Sequence, residues 1–237
     1  MISFFRKIRQ KLLNQNRVTR YLTYAFGEIA LVMIGILLAL QVNNWNEKRK
    51  TRVFEKEILS LINENLTRDS ASIAAELNSA ALGIQLTDSI LDRVDQKIYD
   101  EQLNLWMGKV IKFERFRSQS SGFEVLKSKG IDILQDKQLQ VDLITYYDET
   151  LFRLYQAILD VEGAFNVDWI PVVKREFNDF VYEDRLEPRD SKEFFENSEH
   201  IVLFKMYQDN RLGIVTRGEV ALKEISDLKA HIKKQLE

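Results

Sequence analysis

Residues 21–42 read YLTYAFGEIALVMIGILLALQV, and how this stretch is read decides how the rest of the chain is read. Twenty-two residues at about 1.5 Å each extend roughly 33 Å as a helix, enough to cross a hydrocarbon core of about 30 Å. Tyr21 and Tyr24 stand at one end and Trp45 just past the other, where interfacial aromatics belong. Basic clusters flank both ends, which sets the stretch apart from a buried core helix. A cleaved signal peptide fits less well. The stretch is long for one, and Ala39-Leu40-Gln41 puts glutamine where a cleavage site needs a small residue. The expectation is an uncleaved, single-pass transmembrane helix.

Charge is divided along the chain. Residues 1–52 carry a net +8 and the remainder a net −10. The basic end suits anionic lipid headgroups, so membrane lipid is an expected partner. The acidic remainder argues against nucleic acid, because phosphate binding needs a basic face. Arg6, Lys7, Arg9, Lys11, Arg17 and Arg20 precede the span, against Lys48, Arg49, Lys50, Arg52 and Lys56 after it. That balance gives a slight preference for a cytoplasmic N-terminus and an extracytoplasmic main domain. Residues 2–13 place Ile2, Phe5, Ile8, Leu12 and Leu13 near one helical face. They read either as a helix lying on the membrane surface or as a basic tail that sets topology. Cysteine is absent, so disulfides, thiolate nucleophiles and cysteine-based metal sites are excluded.

Within the span, Gly27, Gly35 and Ala39 fall at about 0°, 80° and 120° around the helix, and Glu28 at about 100°. Small residues on one face let a second helix approach closely. Leu31 interrupts the stripe, leaving Gly35 and Ala39 as its one strict small-xxx-small pair. Facing an ionised carboxylate to lipid costs several kcal/mol, so Glu28 needs protein, water or a partner. Three readings stay open: a protonated or headgroup-reaching side chain near Arg20, a hydrogen bond to a partner helix, or a proton or ion carrier.

The run YAFGEIALVMIGILLALQVNNWNEKRK, preceded by FFRKIRQKLL, resembles the N-terminal signature of the bacterial family called domain of unknown function 6090. SSGFEVLKSKGIDILQDKQLQVDLITYY, residues 120–147, resembles a second stretch of that family. The resemblance covers residues 1–50 closely and 120–147 moderately. It implies a bacterial inner-membrane protein with a helical extramembrane domain, and it brings no activity or site residues.

Beyond the span, two prolines and nine glycines in the whole chain leave room for long helices. Val53, Phe54, Ile58, Leu61, Ile62 and Leu66 recur at helical spacing. The pattern weakens over Thr67–Ser72 and returns at Ile73, predicting one long helix or two nearly continuous ones. Trp106, Phe113, Phe116 and Phe123 read as core rather than as a ligand pocket. Ser121 and Glu124 have capping-box spacing, Gly130 suits a left-handed helix end, and a new start follows near Asp132 or Asp136. Leu139, Leu143, Tyr146 or Tyr147, Leu151, Leu154, Ile158, Val161 and Phe165 mark the clearest helix. Pro171 breaks or restarts it, and Val172, Val173, Phe177, Phe180 and Val181 mark another. Residues 183–199 read as a loop, and His200 to Leu236 as a last helix or pair. The predicted architecture is all-α: a basic segment at 1–20, a transmembrane helix at 21–42, and a long helix leading into an antiparallel bundle over 43–237.

No metal-ligand spacing, phosphate loop or hydrolase signature occurs, so neither catalysis, cofactor nor metal is expected. His200 and His231 read as ordinary surface residues. The leading expectation is an interaction or scaffold subunit whose span packs against itself, as a homo-oligomer, or against another membrane protein. A ligand-binding sensory bundle signalling through a partner is the alternative, with a small molecule between its helices. An accessory subunit of an ion-driven envelope complex is a weaker one.

Overall fold

The computed structural model describes residues 6, 7, 10 and 18–237. Their contacts divide the chain into two units, Met1–Phe54 and Glu55–Glu237. Residues 6, 7 and 10 are helical, and the helix α1 spans Val18–Asp95. Its apolar window has a mean hydropathy of 2.2 and none of it is buried, so the core-helix reading of residues 24–42 does not hold. It is one helix long and apolar enough to cross a membrane.

The second unit is all-α apart from one hairpin. After α1 come α2 (Glu101–Val110), α3 (Ser121–Lys129), a single 3₁₀ turn (Ile131–Ile133) and α4 (Lys137–Ile144). A π turn (Thr145–Thr150) joins α4 to α5 (Leu151–Ala164), and a second (Phe165–Trp169) joins α5 to α6 (Ile170–Glu176). The hairpin β1 (Phe177–Val181) and β2 (Arg185–Pro188), the short α7 (Ser191–Glu196) and the long α8 (Ser198–Leu236) complete the chain.

The π turns explain two features of the sequence. The first π turn holds Tyr146 and Tyr147, and both of these adjacent residues are buried. The second π turn stands just before Pro171, which has no N–H to donate. The looser turn absorbs the missing bond, and the helix continues through the proline instead of breaking there.

Cross-helix pairs fix the packing. Lys56 Nζ donates to the Leu236 carbonyl at 3.0 Å, Lys229 Nζ to Thr67 at 2.8 Å, and Gln208 Nε2 to Asp88 at 2.6 Å. As numbers rise on α1 they fall on α8, so the two run antiparallel. The run α4–α6 is also antiparallel to α8, since His231 meets Asp136 and Asn210 meets the Asp160 carbonyl. It follows that α1 and α4–α6 are parallel to each other. The bundle is therefore antiparallel at α8, and α1 and α4–α6 are parallel because residues 96–136 carry the chain back along α1 before α4 begins. Leu59, Ile62 and Leu66 of α1, Leu143, Leu154 and Trp169 of α4–α6 and the π turns, and Phe204, Ile214 and Ile225 of α8 form its core.

Residues 177–188 depart from the predicted helix and loop. Phe177, Phe180 and Val181 pair with Pro188, Leu186 and Arg185 as an antiparallel hairpin. Its turn holds Glu183 at φ 67°, and β2 lies against α2. A side chain on Gly108 would collide with the backbone of Asp184 and Arg185, so the closeness of that approach depends on glycine.

Candidate functional site

Two groups of polar residues stand out, one on the unburied apolar helix and one inside the bundle. On the apolar helix Gly27, Glu28, Gly35 and Ala39 are all exposed. A Cβ built on either glycine meets nothing within 4 Å, leaving this face open to a neighbouring helix. Glu28 borders an open groove with Ile29, Val32 and Ile36. Arg6 and Lys7 are exposed, whereas Arg9, Lys11 and Arg17 lie outside the described residues. Arg20 stands in the first turn of α1.

Inside the bundle, α1 buries Glu55, Asn65, Asp69, Glu76 and Thr87 among its apolar residues. These polar residues occupy core positions of the same helical repeat as Ile62, Ile73, Ala80 and Ile90. The weakening of the pattern over residues 67–72 thus marks a polar residue at a core position, Asp69, and the helix does not break there.

Three of these buried polar groups, those of Glu55, Asn65 and Asp69, receive the segment that crosses the bundle. Glu55 accepts the Gln135 amide at 3.0 Å. The Asn65 side-chain oxygen accepts from Gly122 N at 2.9 Å and from the Ser121 hydroxyl at 3.2 Å. The first turn of α3 is therefore capped by α1, and the capping box predicted for Ser121 and Glu124 does not form; Ser120 is the N-cap and makes no side-chain cap. Asp69 accepts from Gln119 N at 2.7 Å, from the Ser118 hydroxyl, and from Tyr146 at 3.4 Å. Burial raises the Asp69 carboxyl above its ordinary value, with these three bonds pulling it down. Burial also raises the Tyr146 hydroxyl, so it is a neutral donor.

A second cluster closes the end of α2. Arg211, 2% exposed, donates through Nη2 to the carbonyls of Val110 and Lys112. Tyr207 donates to the Ile111 carbonyl at 3.0 Å. Three successive carbonyls at a helix C-terminus, which lack intrahelical partners, are thereby satisfied by α8. The guanidinium passes over Gly83, where a Cβ would lie 2.8 Å from it. Burial lowers the Arg211 pKa from its ordinary value, partly offset by Tyr207 and Glu76.

The two histidines are not the surface residues expected. His200 is 3% exposed, stacked on Phe194 with centroids 4.3 Å apart. Its Nδ1 meets the Phe194 carbonyl at 2.8 Å and its Nε2 meets Glu176 at 3.0 Å. His231 lies between Asp136 at 2.9 Å and Asp142 at 3.4 Å. Two oxygen partners per ring tie neighbouring segments of the bundle together. Among the described residues, no group of three or more His, Asp or Glu is placed to hold a metal ion. Of the aromatics at 106–123, Phe123 is core, stacked on Tyr147 at 4.4 Å. Phe113 and Phe116 are half-buried, packed on Phe165 and Tyr155.

Comparison with known proteins finds no matching family model, no matching curated protein and no matching solved structure.

Proposed function

We propose that this chain is a membrane-anchored interaction or scaffold subunit without catalytic activity, held in a bacterial inner membrane by the apolar part of α1. The observation that carries this reading is the apolar window itself, of mean hydropathy 2.2 and entirely unburied by protein. Left in water, that surface would aggregate; a bilayer or a partner helix covers it. The open face at Gly27, Gly35 and Ala39, with Glu28 beside it, is where a second helix of the same chain or another membrane protein packs. The likeness of residues 1–50 to the bacterial family named above supports the inner-membrane setting, and the slight excess of basic residues before the span favours a cytoplasmic N-terminus and an extracytoplasmic bundle. Glu55, Asn65, Asp69 and Arg211 are engaged in joining segments of the bundle, which supports a scaffold over an enzyme.

The test is native mass spectrometry of the full-length protein released gently from its membrane. A defined oligomer or a complex with other membrane subunits supports the proposal, and Gly35→Leu then dissociates it. A monomer at every detergent condition overturns it, as does a full-length chain that stays in the soluble fraction.

A further inference from the structure

Residues 111–120 cross the bundle without regular secondary structure, as a strap. Arg211 and Tyr207 hold its start, and Tyr182 holds Phe113 by accepting from its N–H at 3.0 Å and donating to its carbonyl at 2.9 Å. Asp69 and Tyr155 hold its end at Ser118 and Gln119. Between these ties, residues 114–117 rest on the stacking of Phe116 against Tyr155 and on the surface pair of Arg115 with Glu162.

Beneath that middle portion lies Glu76, 7% exposed, in an enclosed apolar space lined by Ile73, Leu77, Phe116, Leu154 and Ile214. Unlike Asp69 seven residues before it, Glu76 makes no hydrogen bond or ion pair with any described residue. Of the charged groups around it, Lys112 is engaged and Arg211 only in part, since its buried Nε has no partner. Lys112 pairs with Glu114 at 3.0 Å and Glu183 at 3.1 Å, and Arg211 Nη2 is committed to the strap carbonyls. Tyr207 is the other titratable group of α8 near it, and it is bonded to the Ile111 carbonyl. The α5 residues against it, Leu154 and Ile158, are apolar.

We propose that the strap is a pH-gated latch: ionisation of Glu76 loosens residues 112–118 from the bundle and uncovers the apolar floor beneath Phe116. A buried carboxylate without a donor gains one in two ways. Arg211, whose buried Nε is unbonded, turns toward Glu76 and draws Nη2 off the strap carbonyls, or the strap lifts and admits water; each loosens the strap. Glu114 on the strap adds repulsion of like charge. Burial first, then Glu114, pushes the Glu76 carboxyl up from 4.5 to about 7, against the pull of Arg211 and Lys112. A raised carboxyl favours the closed state while protonated. The closed state therefore weakens as pH climbs from about 4.5, and the loss levels off above about 7.

The test is hydrogen exchange of the full chain in lipid nanodiscs from pH 5 to pH 8, corrected for the intrinsic pH dependence of exchange. The bonded amides of Phe113, Ser118 and Gln119 are expected to lose more than about tenfold in protection relative to those of α5, with little change above pH 7.5. Glu76→Gln is expected to keep the strap protected throughout. Constant protection in the unaltered chain, or an unchanged pH dependence in Glu76→Gln, overturns the latch. Should Glu76→Gln fail to fold, Glu114→Gln at the exposed strap surface decides instead. It is expected to move the transition to lower pH, and an unmoved transition overturns the proposal.

Discussion

The side-chain oxygen of Asn65 accepts the amide proton of Gly122, 57 residues further along the chain, at 2.9 Å. Through that bond α1 supplies the N-terminal cap that α3 does not supply for itself. Asn65-Leu66-Thr67 reads in sequence as a glycosylation site, and in the fold Asn65 is 3% exposed and committed to the cap.

Asn65→Ala should therefore cost about 1–2 kcal/mol, the range for losing a cap and leaving a buried amide unbonded. Glu124→Ala should cost less than about 0.5 kcal/mol, because Glu124 is exposed and makes no capping bond. Urea unfolding of the two variants separates these outcomes. Equal losses would restore the capping box.

The glycines divide by what surrounds them. Gly108→Ala should destabilise by about 2 kcal/mol or more, since its Cβ would meet hairpin backbone that cannot rotate away. Gly163 is helical with nothing within 4 Å, so Gly163→Ala should stabilise by about 0.5–1 kcal/mol through helix propensity. Thermal melts read both signs directly, and a destabilised Gly163→Ala would mean that α5 is covered there.

Helix positions were legible where apolar residues kept one period. Leu154, Ile158, Val161 and Phe165 are all buried as that period requires, and Asp136 caps α4 through Gln138 N and Leu139 N. Gly130 takes the positive φ, 104°, that its place at a helix end suggested. The bundle's polar interior was not legible. Asp69 and Glu76 look like solvated charges until the crossing segment is placed over them, and that placement depends on contacts some 50 residues apart. The hairpin was hidden for a related reason. Phe177, Phe180 and Val181 fit a helical spacing, and only the turn at Glu183 and the packing of β2 on α2 select the strand.

Asp136 ties the start of α4 to α8 at one carboxylate. One oxygen accepts from Gln138 N and Leu139 N, the other meets His231 at 2.9 Å and accepts from Gln235 at 2.7 Å. The Leu139 amide first, and then His231, hold its carboxyl below the usual 3.8. A depressed carboxyl stabilises the fold above about 3.8, and that contribution is lost as pH falls through the lowered value. Asp136→Asn should accordingly be less stable than the unaltered chain at pH 6, with the gap narrowing below pH 4. Denaturant midpoints at pH 6, 4.5 and 3.5 check it, and a gap that is constant across that range would remove the ionised carboxylate from the account.

The division at Phe54 and Glu55 predicts where the bundle can be cut free. Glu55 is 1% exposed and accepts the Gln135 amide, Lys56 donates to the Leu236 carbonyl, and Ile58 and Leu59 are core residues. A fragment of residues 52–237 keeps all four and should fold alone, with cooperative unfolding. A fragment of residues 60–237 loses them. Two buried aliphatic side chains account for about 3–6 kcal/mol between them, and the two lost bonds add to that, against a typical domain stability of about 5–15 kcal/mol. The shorter fragment should therefore be marginal or unfolded. Circular dichroism melts of the two compare them directly: equal stability would show that the bundle begins later than Glu55, and failure of the longer one would show that it needs residues before Arg52.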